Sequence, residues 1–221
     1  MLTPDPMNQA VRTVERWGLV AAVTGIVSNA LLLALYAVAQ RDSSYEWTGP
    51  ANDVIGAVSS GATIPVALAL VTVLGETRAL RLATRLATAA MALIVALNLA
   101  LVSGLIPFAV QAAGAGAAVV AMFGWVLVVG RTGRTTGRLP GRLGRAAELI
   151  GAAALVATPL VGLSLLLPAG SVPQYLVGGA GLLLAGPALA AFPVWMLLVS
   201  NRLRGHLAER EARAPEPSAV V

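Results

Sequence analysis

Six stretches of this chain run with no acid or base near their middles, at 17–39, 54–74, 86–106, 108–130, 146–167 and 175–200, and short polar segments separate them. A helix rises about 1.5 Å per residue, so about 20 apolar residues cross the roughly 30 Å of hydrocarbon in a bilayer. Each stretch has that length, and the pattern predicts an all-α, polytopic membrane protein of six transmembrane helices in one domain, 1–200. A short tail follows at 201–221. Only Pro107 and its neighbours part the third and fourth stretches. Proline ends a helix and restricts the residue before it, so a tight hairpin is expected there. The first stretch follows Arg12 and Arg16 and ends on Ala37-Val38-Ala39, as a signal peptide does, but cleavable apolar regions span roughly 7 to 15 residues and this one is longer, which predicts a retained span.

Composition agrees with a bilayer as solvent. The chain is 57% hydrophobic and 11% charged, with mean hydropathy +0.82, more apolar surface than one water-soluble core could hide. Cysteine and lysine are both absent, which excludes a disulfide framework, thiolate metal sites and cysteine nucleophiles. The 15 basic residues are all arginines, and all but Arg41 fall before the first stretch, after the second, after the fourth or after the sixth. Cytoplasmic segments retain Lys and Arg during insertion, so both termini are expected in the cytoplasm and the protein in the plasma membrane.

That orientation puts "SSYEWTGPANDVIGA", residues 43–57, outside. Tyr45 and Trp47 are expected as interfacial anchors, and Asn52 or Asp53 as the cap of the second helix. Glu46 and Asp53 could instead form an acid and base pair or a cation site on the outer face. The loop "RTGRTTGRLPGRLGR", residues 131–145, repeats a Gly-Arg step four times. Four glycines and Pro140 argue against a helix and predict a flexible basic loop on the headgroups, where each of Arg131, Arg134, Arg138, Arg142 and Arg145 gains about 1 kcal/mol near an anionic leaflet. Membrane lipids are the expected contact. Without interleaved aromatics or a known module, nucleic acid is not.

With each span centred in the bilayer, Ser28 and Asn29, Thr63 and Pro65, Asn98, Thr158 and Pro159, and Pro187 fall near mid-depth. Proline there leaves a carbonyl without its usual donor, which Asn or Thr can satisfy. Such a layer either glues helices together or lines a ligand cavity, as in transporters, and the sequence leaves both readings open. The middles of the spans carry no ionisable group. Glu148, at the mouth of the fifth, is expected to pair with Arg145 one turn away. Proton relays and voltage sensors need such groups, so neither is expected, and no glycine loop followed by Lys is present to hold a nucleotide. His206 is the only histidine, and no metal, cofactor or catalytic residue is expected.

Small residues recur at close-packing spacing in "AAGAGAA", 112–118, and "GGAGLLLAG", 178–186, for packing within the chain or a seam with a second copy or another membrane protein. Ile64-Pro65-Val66 and Phe192-Pro193-Val194 faintly echo each other. The tail from Asn201 opens with Leu203 and Leu207 one turn apart and is expected to fray and then become disordered.

"GPANDVIGAVSSGATIPVALAL" at 49–70 and "AFPVWMLLVSNRLR" at 191–204 resemble small six-span integral membrane proteins of actinobacteria. The resemblance covers two of the six spans and implies no catalytic residue. Three functions stay open: binding or permeation of a small lipophilic or uncharged molecule through the mid-depth layer, an accessory subunit of a membrane complex, and a lipid-modifying enzyme using Glu46 and Asp53.

Overall fold

In the computed structural model, which describes residues 5–35, 37 and 42–213 and their side chains apart from Ser43 and 206–213, every regular element is helical. Arg41, the end of the first expected stretch at 38–39, the His206 side chain and the final residues 214–221 lie outside what is described. The helices are α1 (Pro6–Ala34), α2 (Thr48–Leu74), α3 (Arg78–Val102), α4 (Phe108–Thr135), α5 (Gly141–Ser164) and α6 (Val172–Arg213). A short 3-10 turn, Ser43–Tyr45, precedes α2. All six are long and apolar enough to cross a membrane.

Each helix packs against its neighbour in sequence, and α6 returns to α1, so the bundle closes into a ring. Glu15 and Arg204, 3.2 Å apart, join the start of α1 to the end of α6, and Ser200 Oγ donates to the Val14 carbonyl at 3.2 Å. Successive helices run in opposite directions. The starts of α1, α3 and α5 and the ends of α2, α4 and α6 therefore share one end, which carries every described arginine.

The largest buried side chains also gather toward that end: Leu70 and Leu74 of α2, Leu80 of α3, Phe123 and Trp125 of α4, Trp195 and Met196 of α6. Phe123 meets Phe192 edge-on at 5.7 Å and Phe192 stacks on Trp195 at 6.2 Å, while the Trp195 indole N-H donates to the Leu143 carbonyl at 3.0 Å. The outer surface is the reverse of a water-soluble one. Leu166 is 82% exposed and Leu183 77%, a cost in water and none in lipid.

Because lipid tails are as apolar as leucine, burial alone does not press these helices together, and close approach and interhelical hydrogen bonds must do so. Glycine supplies the approach. A Cβ at Gly130 of α4 would stand 2.5 Å from the Gly144 carbonyl oxygen of α5, and one at Gly151 2.7 Å from the Phe123 carbonyl oxygen. A Cβ at Gly181 of α6 would stand 2.8 Å from Val161 of α5, and one at Gly114 of α4 2.7 Å from Leu97 of α3. Gly18 of α1 lies directly against the Ser200 hydroxyl.

Three expectations are corrected. The helices are longer than the uncharged stretches: α1 starts at Pro6, where the Asp5 carboxylate accepts from the Met7 N-H at 3.0 Å, and α2 starts at Thr48. Asn52 and Asp53 therefore lie inside α2, and neither caps it. Pro50 is tolerated in the first turn because its missing N-H would have had no helical partner there. Residues 131–145 are mostly helix, since α4 runs to Thr135 and α5 begins at Gly141. Their glycines set geometry: Gly137 takes φ +68° to end α4, and Gly133 makes room for buried Leu139, whose N-H donates to the Gly133 carbonyl at 3.0 Å. Glu148 pairs with Arg134 across the two helices, at 2.8 and 3.2 Å, instead of with Arg145.

Candidate functional site

The polar residues expected at mid-depth separate into three groups. Two hydroxyls turn onto their own helices: Thr63 Oγ1 donates to the Ser59 carbonyl at 2.8 Å and Thr158 Oγ1 to the Ala154 carbonyl at 2.9 Å. Asn29 Nδ2 donates across to the Leu189 carbonyl of α6 at 3.0 Å. Ser28 and Asn98 belong to a third group, which lies nearer the end of the bundle opposite the arginines.

That group crosses four helices. Ser28 Oγ of α1 donates to Asn52 Oδ1 of α2 at 2.7 Å. One residue further along α2, the Asp53 carbonyl accepts from Asn98 Nδ2 of α3 at 3.1 Å, and Asn98 Oδ1 accepts from Gln111 Nε2 of α4 at 2.9 Å. Consecutive residues on α2 point about 100° apart, which lets Asn52 serve α1 while Asp53 serves α3. Counted from the ends of their helices, the four side chains lie about 5 to 9 Å inside, a single layer. Asn98 is 6% exposed and Gln111 9%, so the amide pair is withdrawn from the surface.

The layer is not saturated. An amide carries two N-H donors and two acceptor lone pairs, and Asn98 uses one donor here and Gln111 one. Asn52 Nδ2 has no hydrogen-bond partner among the described residues. Gly56 of α2 lies against the layer, where a Cβ would be in ordinary contact, 3.4 Å from Ser28 Oγ and 3.5 Å from Asn98 Nδ2.

Of the two acids expected in the outer loop, Asp53 joins the layer through its carbonyl and Glu46 does not. Glu46 is exposed on the turn before α2, and among the described residues no hydrogen bond or ion pair joins it to Asp53. Asp42 accepts from the Ser44 N-H at 2.9 Å, and its hydrogen bonds with Ser44 hold its carboxyl below the usual range. Tyr45 and Trp47 are exposed beside the start of α2. At the other end, Arg138 donates to the Val73 carbonyl at 2.8 Å and Arg134 holds Glu148, while Arg131, Arg142 and Arg145 are exposed. No three His, Asp or Glu side chains converge as metal ligands among the described residues.

Sequence reading singled out Ser28 and Asn98 but missed Gln111. A signal existed: 98 lies four residues before the end of α3 and 111 three after the start of α4, so a hairpin folded at 103–107 brings them nearly level.

The six membrane-length helices and the polar layer buried among them define an all-α polytopic membrane protein. Comparison with protein-family models, curated proteins and solved structures finds no match.

Proposed function

We propose that this chain is a plasma-membrane protein, both termini cytoplasmic, that binds or passes a small uncharged molecule with hydrogen-bonding capacity through the layer of Ser28, Asn52, Asn98 and Gln111. The orientation rests on the arginines, all of those described lying at one end. The ligand class rests on one observation: the buried Asn98 and Gln111 amides keep unused donors and acceptors beside Gly56. The side chains that make the layer's hydrogen bonds, Ser28, Asn52, Asn98 and Gln111, are all neutral, which supports a neutral guest.

The test is liposome swelling with glycerol and with urea, alongside thermal stabilisation of the purified protein by small neutral amides and alcohols. Faster swelling than empty liposomes, or stabilisation lost in Asn98→Ala and in Gly56→Ala, is expected. Gly56→Ala fits at ordinary contact distance from Ser28 Oγ and Asn98 Nδ2, so it crowds the layer's polar atoms without disturbing the fold. No response to any of these solutes by the wild-type protein defeats the reading.

A second reading, an accessory subunit, draws on α6. A Cβ at Gly179 or Gly186, two turns apart, would meet nothing within 4 Å, so this small-residue face is unused inside the protein. Copurification of a membrane partner that is lost in Gly179→Leu and Gly186→Leu supports it, and monomers alone in native mass measurement count against it.

A further inference from the structure

At the arginine end, α2 and α3 leave a cleft of about 210 Å³ between Leu68, Val71 and Thr72 on one side and Arg81, Thr84 and Arg85 on the other, with Glu76 between them in its wall. It lies at the opposite end of the bundle from the Asn98 layer. Its polarity is graded. Arg81 and Arg85 stand one turn apart in the first two turns of α3, while Leu68 sits about 9 Å inside the end of α2. Such a gradient spans the depth at which a lipid changes from headgroup to hydrocarbon.

Thr84 gives the cleft a second feature. It is 2% exposed, yet its hydroxyl has no hydrogen-bond partner. Threonines in helices ordinarily return the hydroxyl to a carbonyl three or four residues back, as Thr63, Thr88 and Thr158 do here. Thr84 does not, although an unpaired buried hydroxyl is costly. Thr84 is among the residues that line the cleft, and its hydroxyl, itself closed off from the surface, has a donor unspent.

The positive charge is also largely uncompensated. Glu76 reaches Arg81 at 3.7 Å, a long contact between exposed groups of the kind that contributes little, and no carboxylate pairs with Arg85 among the described residues. Two guanidinium groups and a hydroxyl donor are the chemistry that holds phosphate oxygens, and an apolar wall beside them fits a carbon chain.

We propose that this cleft binds the phosphate ester of an anionic membrane phospholipid. Arg81 and Arg85 donate to the phosphate oxygens, the Thr84 hydroxyl donates to one of them, and Leu68 and Val71 cover the first carbons of the acyl chain.

The experiment uses the full chain in phosphatidylcholine nanodiscs doped with phosphatidylglycerol that carries a diazirine high on one acyl chain. Photolabelling mapped by mass spectrometry is expected around Leu68 and Val71, and unlabelled phosphatidylglycerol should compete for it. At about fivefold per guanidinium, Arg81→Gln with Arg85→Gln should lower that labelling about 25-fold. Thr84→Val separates binding from folding: it should lower labelling several-fold while raising the Tm of the delipidated protein, since it removes a hydroxyl that the fold leaves unpaired. Labelling at 68–72 that survives loss of both arginines, or that a phosphatidylcholine probe matches, overturns the proposal. So does competition by inorganic phosphate as strong as by phosphatidylglycerol, which would assign the cleft to the free anion. Unchanged labelling in Thr84→Val removes the hydroxyl from the site.

Discussion

Asn29 of α1 donates its side-chain N-H, at 3.0 Å, to the Leu189 carbonyl of α6, the carbonyl four residues before Pro193. In an uninterrupted helix that oxygen would accept from the backbone N-H of residue 193, which proline lacks. Asparagine therefore supplies from a neighbouring helix what proline withdrew, and the pair is both a helix repair and a joint between the two ends of the ring. The space for it comes from Gly25, where a Cβ would stand 2.9 Å from the Pro193 Cβ.

Removing the donor should cost more than removing both members. Asn29→Ala is expected to destabilise the protein by about 1 kcal/mol, the scale of an interhelical hydrogen bond in a membrane protein. Pro193→Ala restores a backbone donor to the Leu189 carbonyl, so Asn29→Ala in that background should cost less than half as much. Equilibrium unfolding in bicelles across this double-mutant cycle measures the coupling, and strictly additive effects would show that the hydrogen bond does not repair the kink.

Glycines in this bundle differ sharply in what surrounds them, and alanine should tell them apart. At Gly130 a Cβ would stand 2.5 Å from the Gly144 carbonyl oxygen and 2.7 Å from Ala147 Cβ, so Gly130→Ala must push α4 and α5 apart, at about 1 to 3 kcal/mol. At Gly116, on the same helix, nothing lies within 4 Å, and Gly116→Ala should stabilise by about 0.5 to 1 kcal/mol through helix propensity alone. Thermal unfolding of the two variants side by side checks the sign at each position. Equal losses at both would place an unseen neighbour against Gly116.

The Arg134 to Glu148 pair separates the structure from the simpler reading of the sequence. Two contacts at 2.8 and 3.2 Å make it bidentate, but the side chains are 46% and 25% exposed, so its contribution is limited to about 1 kcal/mol and shrinks with salt. Arg134→Gln should lower stability by that amount at low ionic strength and by less in high salt. Arg145→Gln, which removes the partner suggested by helical spacing, should change little. The reverse order in a salt series of unfolding curves would restore the Arg145 pairing.

What the sequence disclosed and what it withheld have different physical causes. The six helices were legible because crossing hydrocarbon demands an uninterrupted apolar run, and α2 to α5 each contain most of the run assigned to them. Depth was less legible, because a helix does not stop where charge begins. Once α3 is seen to span Arg78 to Val102, Asn98 lies four residues from its end instead of at its middle, and Ser28 lies six from the end of α1. The Gly-Arg segment misled for another reason. Gly133 and Gly144 lie in helices and admit close neighbours, and only Gly137 takes the left-handed backbone that a turn requires, a distinction invisible in composition. Of the polar layer, two members stood out within long apolar runs, whereas Asn52 looked like a cap and Gln111, near the start of its run, did not stand out at all.

Topology remains the most direct consequence of the charge pattern, and the absence of cysteine makes it simple to test. A single thiol placed by Glu46→Cys lies on the turn before α2, while one placed by Arg142→Cys lies in the first turn of α5, at the opposite end. Both positions are exposed, so labelling at either should leave the fold intact. In intact cells a membrane-impermeant maleimide is expected to label the Glu46→Cys protein and to spare the Arg142→Cys protein until the membrane is opened. This order follows from the proposed orientation, because moving a segment with several guanidinium groups across the bilayer during insertion is disfavoured. Labelling in the opposite order inverts the bundle. It would then place the Asn98 layer on the cytoplasmic side and remove the supply of anionic cytoplasmic lipid on which the Arg81 cleft depends.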